Sequence, residues 1–132
     1  MAKVFLGGTV NGSSWREQVI PRLNIDYFNP IVPKWTEEAY QRELHERETS
    51  DFCLYVLTPK MQGIYSVAEA VDDSNKRPAR TLFCYLSSDG DQQFTKHQLD
   101  AMKATARMIE RNGGKTFTSL DEVVHFLNQE KS

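Results

Sequence analysis

The chain has 132 residues, 39% apolar and 26% charged, which is the balance of a soluble globular protein with one hydrophobic core and excludes a disordered chain. Its 16 basic and 18 acidic residues leave a net charge of -2 with neither sign gathered into a long block. There is therefore no electrostatic case for a nucleic-acid backbone, and a small-molecule or protein partner is expected.

The opening MAKVFLGG holds an apolar run far shorter than a signal-peptide core or the roughly 20 residues of a membrane span, so no membrane association is expected. Lys3 to Leu6 reads as a first strand that ends in Gly7 and Gly8. The loop GGTVNGSSW leads from it into a helix from about Ser14 to Leu23, with Val19, Ile20 and Leu23 on its apolar face. A strand, glycine loop and helix in this order let backbone N–H groups and hydroxyls approach an anion, ribose or base. Neither GxGxxG nor GxxxxGK[ST] is present, which rejects a dinucleotide fingerprint and a P-loop. An ordinary βα connection explains the same pattern.

Ile25 to Phe28 forms a second short strand closed by Asn29 and Pro30. The connector IVPKW leads to a helix from about Thr36 to Glu48, with Glu37 and Glu38 in its first turn. The middle of this helix, YQRELHERE, is very polar; Tyr40 and Leu44 are expected to supply its packed face, leaving the rest to solvent or another subunit. His45 and His97 each stand alone and read as surface histidines. A third strand, Phe52 to Leu57, follows Asp51 and passes through a loop with Pro59 and Gly63 into a helix from Ser66 to about Asn75. After Pro78, TLFCYL is a fourth strand, and SSDGDQQ is a turn without the spacing of a calcium loop. A long helix from about Thr95 to Arg111 packs Leu99, Met102, Ala106 and Ile109. KTFTS is a fifth, edge-like strand, and the last helix begins at Ser119 with Glu122 in a capping box. Cys53 and Cys84 lie in apolar runs and form neither a disulfide framework nor a zinc motif, so a cytoplasmic protein is expected.

This alternation predicts an α/β, flavodoxin-like three-layer sandwich around a five-stranded, mainly parallel sheet of order 2-1-3-4-5, one domain over residues 1–132. The switch point then lies between strands one and three. GGTVNGSSW and PKMQGIYSVAE meet there in one crevice, at the carboxyl edge where ligands bind in open α/β sheets. Glu69 stands on the first turn of the helix beside it. Ser66 to Glu69 fits S-x-x-E, so Glu69 is either a helix-capping residue or a carboxylate placed to attack an anomeric carbon.

VFLGGTV, WREQV, DYFNP, SDFCLYVLT and GIYSVAEAV resemble the nucleoside 2-deoxyribosyltransferase family, especially its small, divergent deoxyribosyltransferase-like branch, over roughly the first 85 residues. The resemblance implies N-glycosidic bond chemistry on a nucleoside or nucleoside 5′-monophosphate through a covalent glycosyl-glutamate, with Glu69 as nucleophile. Family enzymes use a second carboxylate; no Asp or Glu lies between Asp51 and Glu69, which leaves Asp51, otherwise a cap or turn residue, and Asp72 or Asp73, otherwise a solvated helix face, as candidates. Gly7, Gly8, Thr9, Asn11, Ser13 and Ser14 are expected to hold the sugar or a 5′-phosphate, Tyr65 and Trp15 are either aromatic candidates for a base or ordinary core or interface residues, and Asn29, Gly63 and Ser66 complete the set. No metal or other cofactor is implied, and family members are usually homo-oligomers. The alternative is a non-catalytic nucleotide-binding or protein-interaction module of the same fold.

Overall fold

Five short apolar runs lie side by side in the computed structural model, which describes residues 2–10 and 12–129. The elements in chain order are β1 (Lys3–Gly8), α1 (Trp15–Val19), β2 (Asp26–Phe28), α2 (Glu37–Thr49), β3 (Phe52–Leu57), α3 (Tyr65–Lys76) and β4 (Thr81–Tyr85). There follow the ribbon strands β5 (Ser88–Asp89) and β6 (Gln92–Gln93), then α4 (Lys96–Arg111), β7 (Lys115–Phe117) and α5 (Leu120–Gln129). The main sheet runs β2-β1-β3-β4-β7 with every neighbouring pair parallel. Counted without the ribbon, this is the expected order 2-1-3-4-5 of a flavodoxin-like α/β fold. The segment expected to be a plain turn, SSDGDQQ, carries the antiparallel pair β5 and β6.

Strands that are covered by helices on both sides are apolar on both faces, which is why these runs read as continuous rather than alternating. Val4, Leu6, Leu54, Val56, Leu82 and Cys84 pack with Trp15 and Val19 of α1 and with Val123, Val124 and Leu127 of α5. Phe5, Cys53, Tyr55, Leu57 and Phe83 pack in a second cluster with Ala70 of α3 and Met102, Ala106 and Ile109 of α4. Fully burying one such aliphatic or aromatic side chain contributes roughly 1.5–3 kcal/mol, so the two clusters are the main source of cohesion.

Three local expectations change. The first helix stops at Val19 instead of Leu23, because Pro21 cannot donate the next helical hydrogen bond and Ile20–Arg22 close as a 3₁₀ turn. The third helix begins at Tyr65, one residue before Ser66, after an Ile64 that offers no side-chain cap. In α2, Tyr40 is exposed, and the buried residues are Glu46 and Arg47. That helix is docked by charge: Lys3 pairs with Glu46, Arg42 lies over the Phe28 ring at 5.3 Å, and Arg47 reaches Asp72 and Asp73 of α3.

Gly7 and Gly8 have a packing reason that is independent of any ligand. A Cβ on Gly7 would lie 2.7 Å from the Tyr55 ring. One on Gly8, whose φ is +122°, would lie 2.1 Å from the Val56 carbonyl oxygen. The same oxygen accepts the Thr9 N–H at 2.9 Å, so β1 stays pressed against β3 to its last residue. Gly8→Ala combines a left-handed backbone with a backbone clash, and a loss of about 2–4 kcal/mol is expected in a urea unfolding series, enough to leave little folded protein in a marginal domain.

Candidate active site

A cleft of about 260 Å³ opens at the carboxyl end of β1, on the switch point. Gly7, Gly8 and Val10 form one side of it and Tyr65, Ser66 and Glu69 of α3 another. The third wall comes from the connector before α2, through Pro30, Ile31, Val32 and Trp35, and from Glu43 of α2 itself. Arg16 closes the remaining side. A smaller depression of about 190 Å³ adjoins it, sharing Gly8, Val10, Tyr65 and Ser66 and adding Thr9, Leu57, Met61, Gln62 and Gly63.

Glu69 is 6% exposed and accepts no hydrogen bond among the described residues. Because α3 begins at Tyr65, Ser66 is already helical and the S-x-x-E capping box does not form. The same motif at Ser119 does work locally: Ser119 Oγ accepts the Glu122 N–H at 3.2 Å, while the Glu122 carboxylate accepts from Thr118 N and Ser119 Oγ. Arg47 Nη1 stands 3.7 Å from Glu69 Oε2, at ion-pair range. Burial pushes the Glu69 carboxyl up to about 7; Arg47 opposes this, and the charges of Glu43 and Asp73 add to it. Burial also raises Glu43, against the pull of Arg47 and Arg16.

Arg16 is structural as well as cleft-lining. Its Nε and Nη2 donate to the Leu6 carbonyl at 3.2 and 3.0 Å, Nη1 donates to the Thr9 carbonyl at 2.7 Å, and Nη2 also reaches the Gly8 carbonyl at 3.4 Å. Those bonds serve carbonyls at the end of β1 and of the residue that follows it. Burial brings the Arg16 guanidinium down to about 10, with Glu17 and Glu43 opposing.

The expected site residues divide by position. Gly7, Gly8, Tyr65, Ser66 and Glu69 meet in the cleft, and Thr9 and Gly63 line the adjoining depression. Asp51 does not belong to this group: it accepts the Lys3 N–H at 2.8 Å, and its place just before β3 puts it at the amino edge, opposite the cleft. Asp72 points to Arg47 and Lys76 and lines neither hollow. Trp15 is 1% exposed, with its indole donating to the Thr9 carbonyl at 2.9 Å, so it is a core residue. Ser13 Oγ donates to Asp89 at 2.6 Å, Ser14 Oγ accepts from Gln18, and Asn29 accepts the Ile31 N–H. Asn11 lies outside the described residues. Asp89 also stands 3.9 Å from Lys60, whose Nζ donates to the Gly12 carbonyl at 3.4 Å, so the β5–β6 ribbon braces both loops of the cleft.

Glu43, Arg16, Arg47 and the connector are the parts that local patterns did not reveal. The signal for two of them was the spacing of Glu43 and Arg47, four apart and thus on one face of a helix with little apolar surface of its own. Among the described residues, no group of three or more His, Cys, Asp or Glu side chains could hold a metal ion. No helix among them is long and apolar enough to cross a membrane.

The raised Glu69 pKa has a consequence for stability. An acid whose folded pKa lies above its unfolded value contributes stability below the unfolded pKa and loses it as pH rises through the folded one. For Glu69 that window runs from the ordinary value of 4.5 to about 7. Glu69→Gln, which carries no such charge, should therefore gain roughly 1–3 kcal/mol on the wild type at about pH 8, and much less at about pH 5, in parallel thermal or urea unfolding series.

A family model described as nucleoside 2-deoxyribosyltransferase like matches residues 1–88. That span holds β1 to β4, the connector and every residue that lines the cleft. No curated protein and no solved structure matches the chain. With two thirds of its length in the family match, the chain belongs to the nucleoside 2-deoxyribosyltransferase-like family.

Proposed function

We propose that the protein breaks and remakes the N-glycosidic bond of a nucleoside or nucleoside 5′-monophosphate through a covalent glycosyl-glutamate at Glu69. The observation that carries this reading is a buried carboxylate in the switch-point cleft that caps no helix and accepts no hydrogen bond among the described residues. In the first half-reaction a Glu69 oxygen bonds to C1′ while the C1′–N bond breaks, and the base leaves with a proton on its nitrogen. Glu43 is the second carboxylate of the cleft, in the role for which Asp51 and Asp72 are badly placed. Burial favours its protonated form, which suits it to supply that proton. In the second half, a nitrogen of an incoming base, or water, displaces Glu69 from C1′, and the released proton returns to Glu43. Positive charge developing on the sugar is stabilised by the Glu69 carboxylate, and by Glu43 as it gives up its proton.

The cleft and its neighbouring depression together suit a ligand with an apolar and a polar end. Ile31, Val32, Trp35 and Tyr65 offer surface for a base, while Gly7, Gly8, Thr9 and Ser66 offer close backbone approach and hydroxyls for a sugar or its 5′ substituent. Intact-protein mass after incubation with mixed 2′-deoxynucleosides and their 5′-monophosphates, alongside an assay for free base, tests the proposal. A sugar-sized adduct or base release that vanishes in Glu69→Ala and falls about 100-fold or more in Glu43→Gln is the expected result. Binding without adduct or base release, with all proteins folded, would replace catalysis by a nucleotide-binding role.

Two copies are also proposed to meet around this cleft. Ile31, Val32, Trp35 and Tyr65 are 40–62% exposed, and they line one mouth instead of being scattered singly. Light scattering on the eluting protein should give at least a dimer, and Trp35→Ser should shift it toward monomer; a monomeric wild type at about 100 μM would end this proposal.

A further inference from the structure

Attack on C1′ requires Glu69 as the anion, and most of its surroundings work against that charge. Burial favours the protonated form, and so do Glu43 from α2 and Asp73 one turn along α3. Tyr65, the first residue of α3, is kept neutral by Glu69 and brings no positive charge. Arg16 shares the cleft, but its donors are committed to the carbonyls of Leu6, Gly8 and Thr9. Among the described residues, Arg47 is the cation at ion-pair distance from Glu69.

Arg47 is held from the side away from the cleft. Its Nε and Nη2 donate to Asp73 at 3.2 and 3.0 Å, and Nη2 also donates to Asp72 at 3.0 Å. Asp73 is itself fixed by the Tyr55 hydroxyl from the sheet and by Arg77 at the end of α3. Burial works against the Arg47 charge, yet the bonds and charge of Asp73, with the nearby Glu69, outweigh it and hold the guanidinium firmly protonated. The strong donors of the fork therefore go to Asp73 and Asp72. Glu69 receives the charge at 3.7 Å without a hydrogen bond, so its oxygens keep their lone pairs.

We propose that Arg47 is a positioning residue for Glu69: anchored by Asp72 and Asp73, it favours the ionised form of the Glu69 carboxylate against its burial in the cleft while leaving its oxygens free to form a bond. The importance of this for turnover rests on the glycosyl-glutamate chemistry proposed above, whereas the electrostatic part does not.

The test follows the Glu69 carboxyl directly, by carbon NMR of glutamate-labelled protein titrated with acid, with Glu69→Gln identifying the signal. In Arg47→Gln the Glu69 midpoint should rise by about one to three pH units, and Arg47→Lys should bring it part of the way back. A folded Arg47→Gln with an unmoved midpoint would overturn the proposal. If Arg47→Gln does not fold because buried Asp73 loses one of its two arginines, Arg47→Gln with Asp73→Asn removes both charges; its midpoint should still lie above the wild type, since Arg47 acts on Glu69 more strongly than Asp73 does. An unmoved or lowered midpoint in that folded pair would equally overturn it. The pH profile of adduct formation should shift by the same amount as the NMR midpoint. A shifted midpoint with no adduct from any variant would sink the glycosyl-transfer reading alone and leave the electrostatic role of Arg47 supported.

Discussion

A carboxylate buried without exposure, Asp73, ties α2, which has little apolar contact of its own, to the sheet and to α3. A charge in such a place must be paired and hydrogen-bonded, and its partners here come from the sheet through Tyr55, from α2 through Arg47 and from the end of α3 through Arg77. The cost of removing any partner is what locks α2 in place. Other helices are held by continuous apolar clusters, whereas α2 buries Glu46 and Arg47 and leaves Tyr40 in solvent. The position of Glu43 relative to Glu69, on which the proposed two-carboxylate chemistry depends, is thus set by an ionic cluster behind the cleft and not by packing within it.

The glycine pair at the end of β1 answers two demands at once. The Tyr55 ring and the Val56 carbonyl leave no room for a Cβ at either position, and the absence of side chains also opens the cleft above them. Tyr55 belongs to both stories, since its ring presses on Gly7 and its hydroxyl holds Asp73. The floor of the cleft and the network behind Glu69 consequently share one side chain.

Much of the fold was legible because each strand is a short apolar run and each crossover carries a helix, which fixes a parallel sheet and, with it, the switch point. Glu69 was legible for the same reason: its helix follows β3. What was not legible depends on partners distant in sequence. Ser66-Val67-Ala68-Glu69 has the spacing of a capping box, but Ile64 takes the capping position and shifts the helix by one residue. RELHERE looks like a solvated helix until Asp72 and Asp73, some 25 residues later, claim Arg47 and turn Glu43 toward the cleft. Asp51 lies just before β3 and serves its amino edge, and Trp15, open to a binding or a core role from its place beside the loop, is drawn into the core by the Thr9 carbonyl.

The ribbon that braces the cleft has a bearing on how this protein can be cut or transplanted. Asp89 sits just past the span that matches the family, yet it bonds Ser13 in the first loop and faces Lys60 in the second. The rim is therefore a composite of a family-typical half and a segment borrowed from the rest of the chain. A minimal unit carrying the cleft to another scaffold would have to extend through Gln93, because stopping at the end of β4 would leave both loops without the strut that sets their spacing.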